Sequence, residues 1–375
     1  MAFALVAVST VFIVLLTSTQ WGRTGLHTAL FVSQVLDLGV KPQGWFTGKP
    51  ERQEVVYTQS NGEAMADIYR IIDEPGAQGR AAVLIFLGAN AAGREDKDVI
   101  NLGSALARAG FVVMIHWSPT MALRYNIDPG EIENLVWAFQ YLAAQDYVDP
   151  QRIGMGGFCV GASFTLVAAA DPRIKDQVAF LNAIGPYYDA RDLLLQTASR
   201  SRFGEDGREA WDPDITTIKV LANELVETLE DPIEQKLLEK IFLDQVQVAE
   251  QDLAGISTQA QVVRHILEGT SLEEAERLYE TLPVEFRDGM EKISPSSYKD
   301  DLKARVMIMH DRNDPLVPSG ESRRLVKALL EHGNVRYTEL LTFDHVRPSG
   351  GRIWDIAKEG VKLYRHMYGI MREAN

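Results

Sequence analysis

Apolar positions change their period several times along the chain, and each change predicts an element. Residues 1–22, MAFALVAVSTVFIVLLTSTQWG, carry no charged side chain. As a helix they would extend roughly 33 Å, about the thickness of a bilayer's hydrocarbon core. Residues 26–38, LHTALFVSQVLDL, repeat apolar side chains at helical spacing, which predicts a helix lying on a membrane surface or docked on the protein. From about residue 53, short β-branched runs set in. EVVYTQ and EAMADIYRII lead to AAVLIFLGA, apolar almost throughout and therefore predicted as a buried strand. FVVMIHWS, RIGMGGF and QVAFLNAIG continue the series, with EDKDVINLGSALARAG, PGEIENLVWAFQYLAAQ and VGASFTLVAAA as helices between them. Repeated β-α-β units predict a mostly parallel sheet covered by helices.

The alternation stops near Tyr187. Residues 189–293 hold amphipathic runs without a convincing strand, among them SLEEAERLYETL, where Ser271 and Glu274 stand at capping-box spacing. The β-α pattern then resumes with RVMIMHDRND, SGESRRLVKALLEHG, VRYTELLTF and the closing helix IWDIAKEGVKLYRHMYGIM. The expected organisation is an N-terminal anchor (1–22), an amphipathic linker (23–52), the first part of an α/β core (53–188), an all-helical insertion (189–293) and the second part of the core (294–375).

Composition narrows the partners. A chain of 375 residues with 46% hydrophobic and 24% charged side chains is a folded globular protein, and a net charge of −14 without a basic cluster disfavours nucleic acid. Within residues 1–22 only 2–16 are strongly apolar, the length of a signal-peptide core, but the basic stretch that should precede such a core is missing. A retained membrane anchor is expected, with Trp21 at the interface. Arg23, Lys41 and Lys49 would keep the body of the protein on the cytoplasmic side; the alternative is export after cleavage.

The single cysteine excludes an intrachain disulfide and a thiolate-rich metal site. It lies in Gly157-Phe158-Cys159-Val160-Gly161, where a predicted strand runs directly into a predicted helix. A tight strand-to-helix turn between glycines thrusts the residue at its apex outward, and the helix N-terminus favours a thiolate there. A lone cysteine acting as a small buried hydrophobe is the alternative.

With this motif the chain resembles the α/β-hydrolases, and cysteine in the place of the usual serine resembles the dienelactone hydrolase group. The likeness spans residues 54–371 apart from the insertion, and it implies an acid and a histidine after the later strands. Asp314 in MIMHDRNDPLVP and His345 in LLTFDHVRP occupy those places, with Asp311 and Asp344 as rival acids and His310 as a rival base. The resemblance also implies two backbone oxyanion donors, one at Val160 and one at Ala89 or Asn90 in the loop after AAVLIFLGA. Two features depart from that group: Ile85 and Phe86 stand where it carries a glutamate, and the helical insertion is foreign to it.

The expectation is a hydrolase that cleaves a small carboxylic ester or lactone through Cys159, His345 and Asp314 by way of a thioester, with no metal or organic cofactor. Thioester or amide hydrolysis on the same residues, and a non-catalytic binding or redox-sensing module, are the alternatives. If the insertion is a lid, Leu238, Ile241 and Phe242 should line the acyl pocket; otherwise they form a core of their own. Arg124 is a candidate for holding a substrate carboxylate, against a solvated arginine in a loop.

Overall fold

A computed structural model of the chain describes residues 18–36, 41–59, 62–72, 79–89, 93–204, 207–341, 343–344, 347–348 and 353–374. Residues 1–17 of the expected anchor 1–22 lie outside these, as do Asn90 and His345, while residues 20–22 begin a helix.

Eight strands form one sheet: β1 (Glu51–Gln59), β2 (Gly62–Arg70), β3 (Arg80–Phe86), β4 (Val112–Trp117), β5 (Val148–Phe158), β6 (Val178–Ile184), β7 (Arg305–Asp311) and β8 (Val335–Leu340). Their spatial order is β1-β2-β4-β3-β5-β6-β7-β8. β2 runs antiparallel to both neighbours, and from β4 to β8 every pairing is parallel. The chain leaves β3 toward β4 on one side and returns to β5 on the other. The carboxyl ends of β3 and β5 therefore flank a crevice where strand order reverses, the place where open α/β sheets bind ligands.

The inner strands, β3 and β4 above all, are buried on both faces because their alternate side chains feed two cores. Ala82, Leu84 and Phe86 of β3 pack with α4 (Gly130–Ala143) and α5 (Val160–Ala169). Ala81, Val83 and Ile85 pack with α2 (Lys97–Arg108) and the C-terminal helix Ile353–Met371. Phe31 of α1 (Gln20–Val35) joins the second core, and α1 is tied down by Gln34 Nε2 donating to Asn101 Oδ1 at 2.7 Å and Tyr364 Oη donating to Gly25 O at 3.1 Å. Of the two settings expected for residues 26–38, the helix takes the docked one. Among the described residues no helix is long and apolar enough to cross a membrane.

Between β6 and β7 the chain builds α6 (Ala190–Ala198), α7 (Ile215–Val226), α8 (Pro232–Phe242), α9 (Thr258–Glu268), α10 (Leu272–Tyr279) and α11 (Val284–Lys292). A short hairpin, Ser201–Phe203 with Arg208–Ala210, interrupts the helices; three-residue strands leave too few alternations for a sequence signal. The two ends of this insertion are stapled together. Ser296 N donates to Tyr188 O and Ala190 N to Ser294 Oγ, both at 2.9 Å, and the buried Glu321 carboxylate accepts from Tyr188 N and Asp189 N at 3.0 Å.

Candidate active site

Cys159 follows β5 immediately and begins α5, with backbone angles φ 52° and ψ −127°. A non-glycine residue there stores strain on the order of 1–3 kcal/mol, which persists only when the surroundings enforce it. They do. Cys159 N donates to Ile184 O at 2.8 Å. A Cβ on Gly157 would stand 2.4 Å from Gly161 O, and one on Gly161 would stand 2.5 Å from Phe86 O and 2.6 Å from Gly88 N. The two glycines thus let the first turn of α5 press against the end of β3, leaving the cysteine side chain outside the crowded turn.

The thiol is half-buried on the wall of a cavity of about 760 Å³. Val160 and Ala89 line the same cavity, as do Leu87, Leu102, Ile127, Tyr187 and Val317 from the α/β core. The insertion supplies Leu193, Leu194, Thr217, Val220, Leu221 and Glu224, and α1 supplies Val35. Burial pushes the thiol up to about 12; the negative charge of Asp314 adds to this, and the Val160 N–H opposes it. The expected preference for a thiolate at the helix N-terminus is therefore outweighed by desolvation and a neighbouring carboxylate, and the sulfur needs a base to become a nucleophile.

Asp314 is buried after β7, where its Oδ1 accepts from Leu316 N at 2.7 Å and Val317 N at 3.1 Å. These bonds fix the turn through Pro315, and the carboxylate lies within electrostatic reach of Cys159. His310 is committed to packing. Its Nε2 donates to Val317 O at 2.9 Å and lies 3.5 Å from Asp314 Oδ2, its Nδ1 is hydrogen-bonded with Ser322 Oγ at 2.6 Å, and it does not line the cavity beside Cys159. Asp311 likewise uses Oδ1 locally, accepting from Asn313 N at 2.7 Å. The side chain of Asp344 is not among those described.

Two expected binding residues are placed elsewhere. Phe242 and Leu238 are buried within the insertion, against Leu225, Val263 and Ile266, and Ile241 packs on the same cluster; none of the three lines the cavity. The helical spacing identified an apolar face correctly, but that face turns toward neighbouring helices. Arg124, at the end of α3 (Pro119–Arg124), is exposed and does not line the cavity either; its carbonyl accepts from Asn223 Nδ2 at 2.7 Å. Sequence reasoning missed Tyr187, Leu193 and Glu224. For Glu224 a signal existed: Thr217, Val220, Leu221 and Glu224 share one face of α7, so an acid stood on an otherwise apolar stripe. Among the described residues no cluster of three His, Cys, Asp or Glu side chains is arranged to hold a metal ion.

Sheet order, elbow and crevice together define the α/β-hydrolase fold. One solved structure agrees. A protein assigned as a dipeptidyl aminopeptidase IV from Bacteroides ovatus superposes with a TM-score of 0.50 at 13% identity, over 85% of this chain and 36% of that one. An esterase from Pyrobaculum calidifontis aligns at 14% identity over 93% of this chain and 91% of its own, with a TM-score of 0.47. A puromycin-hydrolyzing peptidase from Mycobacterium tuberculosis aligns at 16% identity over 86% and 39%, with a TM-score of 0.49. At 13% identity the likeness to the Bacteroides protein is one of fold alone, and this chain spans about a third of that protein's length. No protein-family model matches the sequence, and no curated protein matches it.

Proposed function

We propose that the protein is a hydrolase of the dienelactone hydrolase type, cleaving a carboxylic ester or lactone with Cys159 as nucleophile, His345 as base and Asp314 as the acid that orients it. The observation that carries this reading is the backbone of Cys159, strained at φ 52° and ψ −127°, with its thiol on the wall of the cavity and the Val160 N–H beside it. His345 takes the thiol proton as sulfur attacks the carbonyl carbon; the oxyanion forms at the N–H groups of Val160 and Ala89, with Asn90 as the alternative second donor. Collapse expels the alkoxide, which receives the proton from His345, and water then releases the acid from the thioester by the same route. The insertion acts as a lid, and its apolar contribution to the cavity favours an acyl chain over a peptide. Peptide-bond hydrolysis, the activity named for the Bacteroides protein, is the competing outcome. No metal or organic cofactor enters this scheme.

The test is a screen of p-nitrophenyl esters, lactones and peptide p-nitroanilides of graded length, with the intact mass followed during turnover. Because Cys159 is the only cysteine, an acyl adduct on sulfur needs no mapping. Ester or lactone turnover with a transient adduct is expected; turnover of peptides alone, or of nothing, overturns the proposal. Residues 1–22 are proposed to hold the enzyme at a membrane with its body in the cytoplasm, and release of the full chain by a carbonate wash would refute that placement.

A further inference from the structure

The cavity wall opposite the α/β core carries an acid that the triad does not use. Glu224 lies on α7 among apolar neighbours, Val220 and Leu221 on its own helix and Ile127 across from it. Its Oε1 accepts from Ile127 N at 2.6 Å, which fixes the plane of the carboxyl group. Among the described residues its other oxygen makes no further hydrogen bond, although the side chain lines the cavity. A salt bridge would hold the group ionised, but the charges that act on it are of its own sign: Glu227 at the C-cap of α7 and Asp128 in the loop before α4. Tyr187, whose hydroxyl donates to Ile293 O at 2.9 Å, feels both Glu224 and Cys159, so the acid and the nucleophile flank one compartment.

Resting on the hydrolase reading above, we propose that Glu224 is a specificity-determining residue, donating a hydrogen bond from its carboxyl group to an oxygen on the acyl part of the substrate. The site thereby selects uncharged hydroxyacyl or ketoacyl esters over plain acyl chains and over chains that end in a carboxylate. Geometry assigns the donor: Oε1 is occupied as an acceptor by Ile127 N–H, so the proton belongs on the oxygen left to the cavity. Protonation at neutral pH is consistent with this. Burial raises the Glu224 carboxyl to about 8, the charges of Glu227 and Asp128 add to the rise, and the Ile127 N–H opposes it. A neutral carboxyl group in an apolar wall rewards a partner that can accept its proton, and an approaching carboxylate pays desolvation and repulsion from the nearby acids.

The experiment compares p-nitrophenyl octanoate, a set of p-nitrophenyl hydroxyoctanoates with the hydroxyl moved along the chain, and the mono-p-nitrophenyl ester of octanedioic acid, using wild type, Glu224→Gln and Glu224→Leu. For the best-placed hydroxyl, the kcat/KM ratio of hydroxylated to plain ester should fall about tenfold in Glu224→Leu and be largely kept in Glu224→Gln, whose amide donates in place of the acid. The wild-type preference should fade above about pH 8 as the carboxyl ionises, while that of Glu224→Gln stays level. The dioic monoester should be the poorest wild-type substrate. Equal losses on hydroxylated and plain esters in Glu224→Leu, at every hydroxyl position, overturn the proposal. Calorimetry on Cys159→Ala protein with N-methyloctanamide and its hydroxylated counterparts asks the same question without turnover. Tighter binding of a hydroxylated amide, lost on adding Glu224→Leu, supports the Glu224 assignment even if no ester is cleaved, which would refute the hydrolase reading alone. Absence of that difference overturns the assignment even if esters are cleaved.

Discussion

The elbow and the helical insertion both border the cavity, and they are built on opposite terms. At the elbow, backbone meets backbone: Gly161 lies against Phe86 O and Gly88, Gly157 lies against Gly161, and Cys159 keeps a conformation that no local preference favours. In the insertion, side chain meets side chain: Leu195, Leu225, Leu238, Phe242, Val263 and Ile266 form a core of their own, and only selected faces of α6, α7 and α11 reach the cavity. A nucleophile must be held to a fraction of an ångström and so requires covalent geometry. A binding wall needs only shape and polarity, which helices can supply from many sequences.

The largest expected effect falls on the elbow. Cys159→Ala should lower turnover by about a thousandfold or more and abolish the acyl adduct in the mass spectrum. Survival of turnover would mean that this contrast does not separate chemistry from binding. A second break uses the thiol's environment. In His345→Ala, iodoacetamide labelling of Cys159 should be slow at pH 7 and rise roughly tenfold per pH unit well into the alkaline range, since burial and Asp314 disfavour the thiolate. Fast labelling at neutral pH would show that helix α5 alone activates the sulfur.

Phe242→Ala sharpens the comparison from the other side. Removing a side chain from the insertion's own core should cost about 3 kcal/mol in denaturant unfolding, with chain-length preference unchanged. Leu193→Ala opens the cavity wall itself and should shift preference toward longer acyl chains with a smaller loss of stability. The smallest effect belongs to Ser271→Ala. Ser271 caps α10 by accepting from Glu274 N at 3.2 Å, while the Glu274 carboxylate is engaged by Arg277, so one arm of the expected capping box carries the stabilisation. Its loss should cost about 1 kcal/mol.

Much of this was legible beforehand, for identifiable reasons. Each of the eight strands was announced by a short apolar or β-branched run, most clearly β3 and β4, because a strand buried on both faces has few polar positions to confuse the pattern; the exposed edge strand β1 showed itself only through EVVYTQ. Cys159 was legible because the turn it occupies admits glycine alone at its flanks. Phe242 was misplaced because helical spacing reveals that a face is apolar without revealing what it meets. Glu224 was overlooked because an acid on a helix is ordinarily solvated, and the backbone N–H that engages it belongs to Ile127, nearly a hundred positions earlier in the chain. The direction of the thiol shift was misread for the same reason: the helix N-terminus is local and visible, whereas the burial and the Asp314 charge arise from distant segments.

By itself, then, the sequence determined the order of the main strands and helices and the place of the turn at Cys159, which follow from periodicity and local steric demands. The tertiary structure decided which apolar faces line the cavity, the elevated proton affinity of Cys159, and the setting of Glu224 opposite it. Those properties depend on distance through space and on exclusion of water, and neither is encoded in any one stretch of chain.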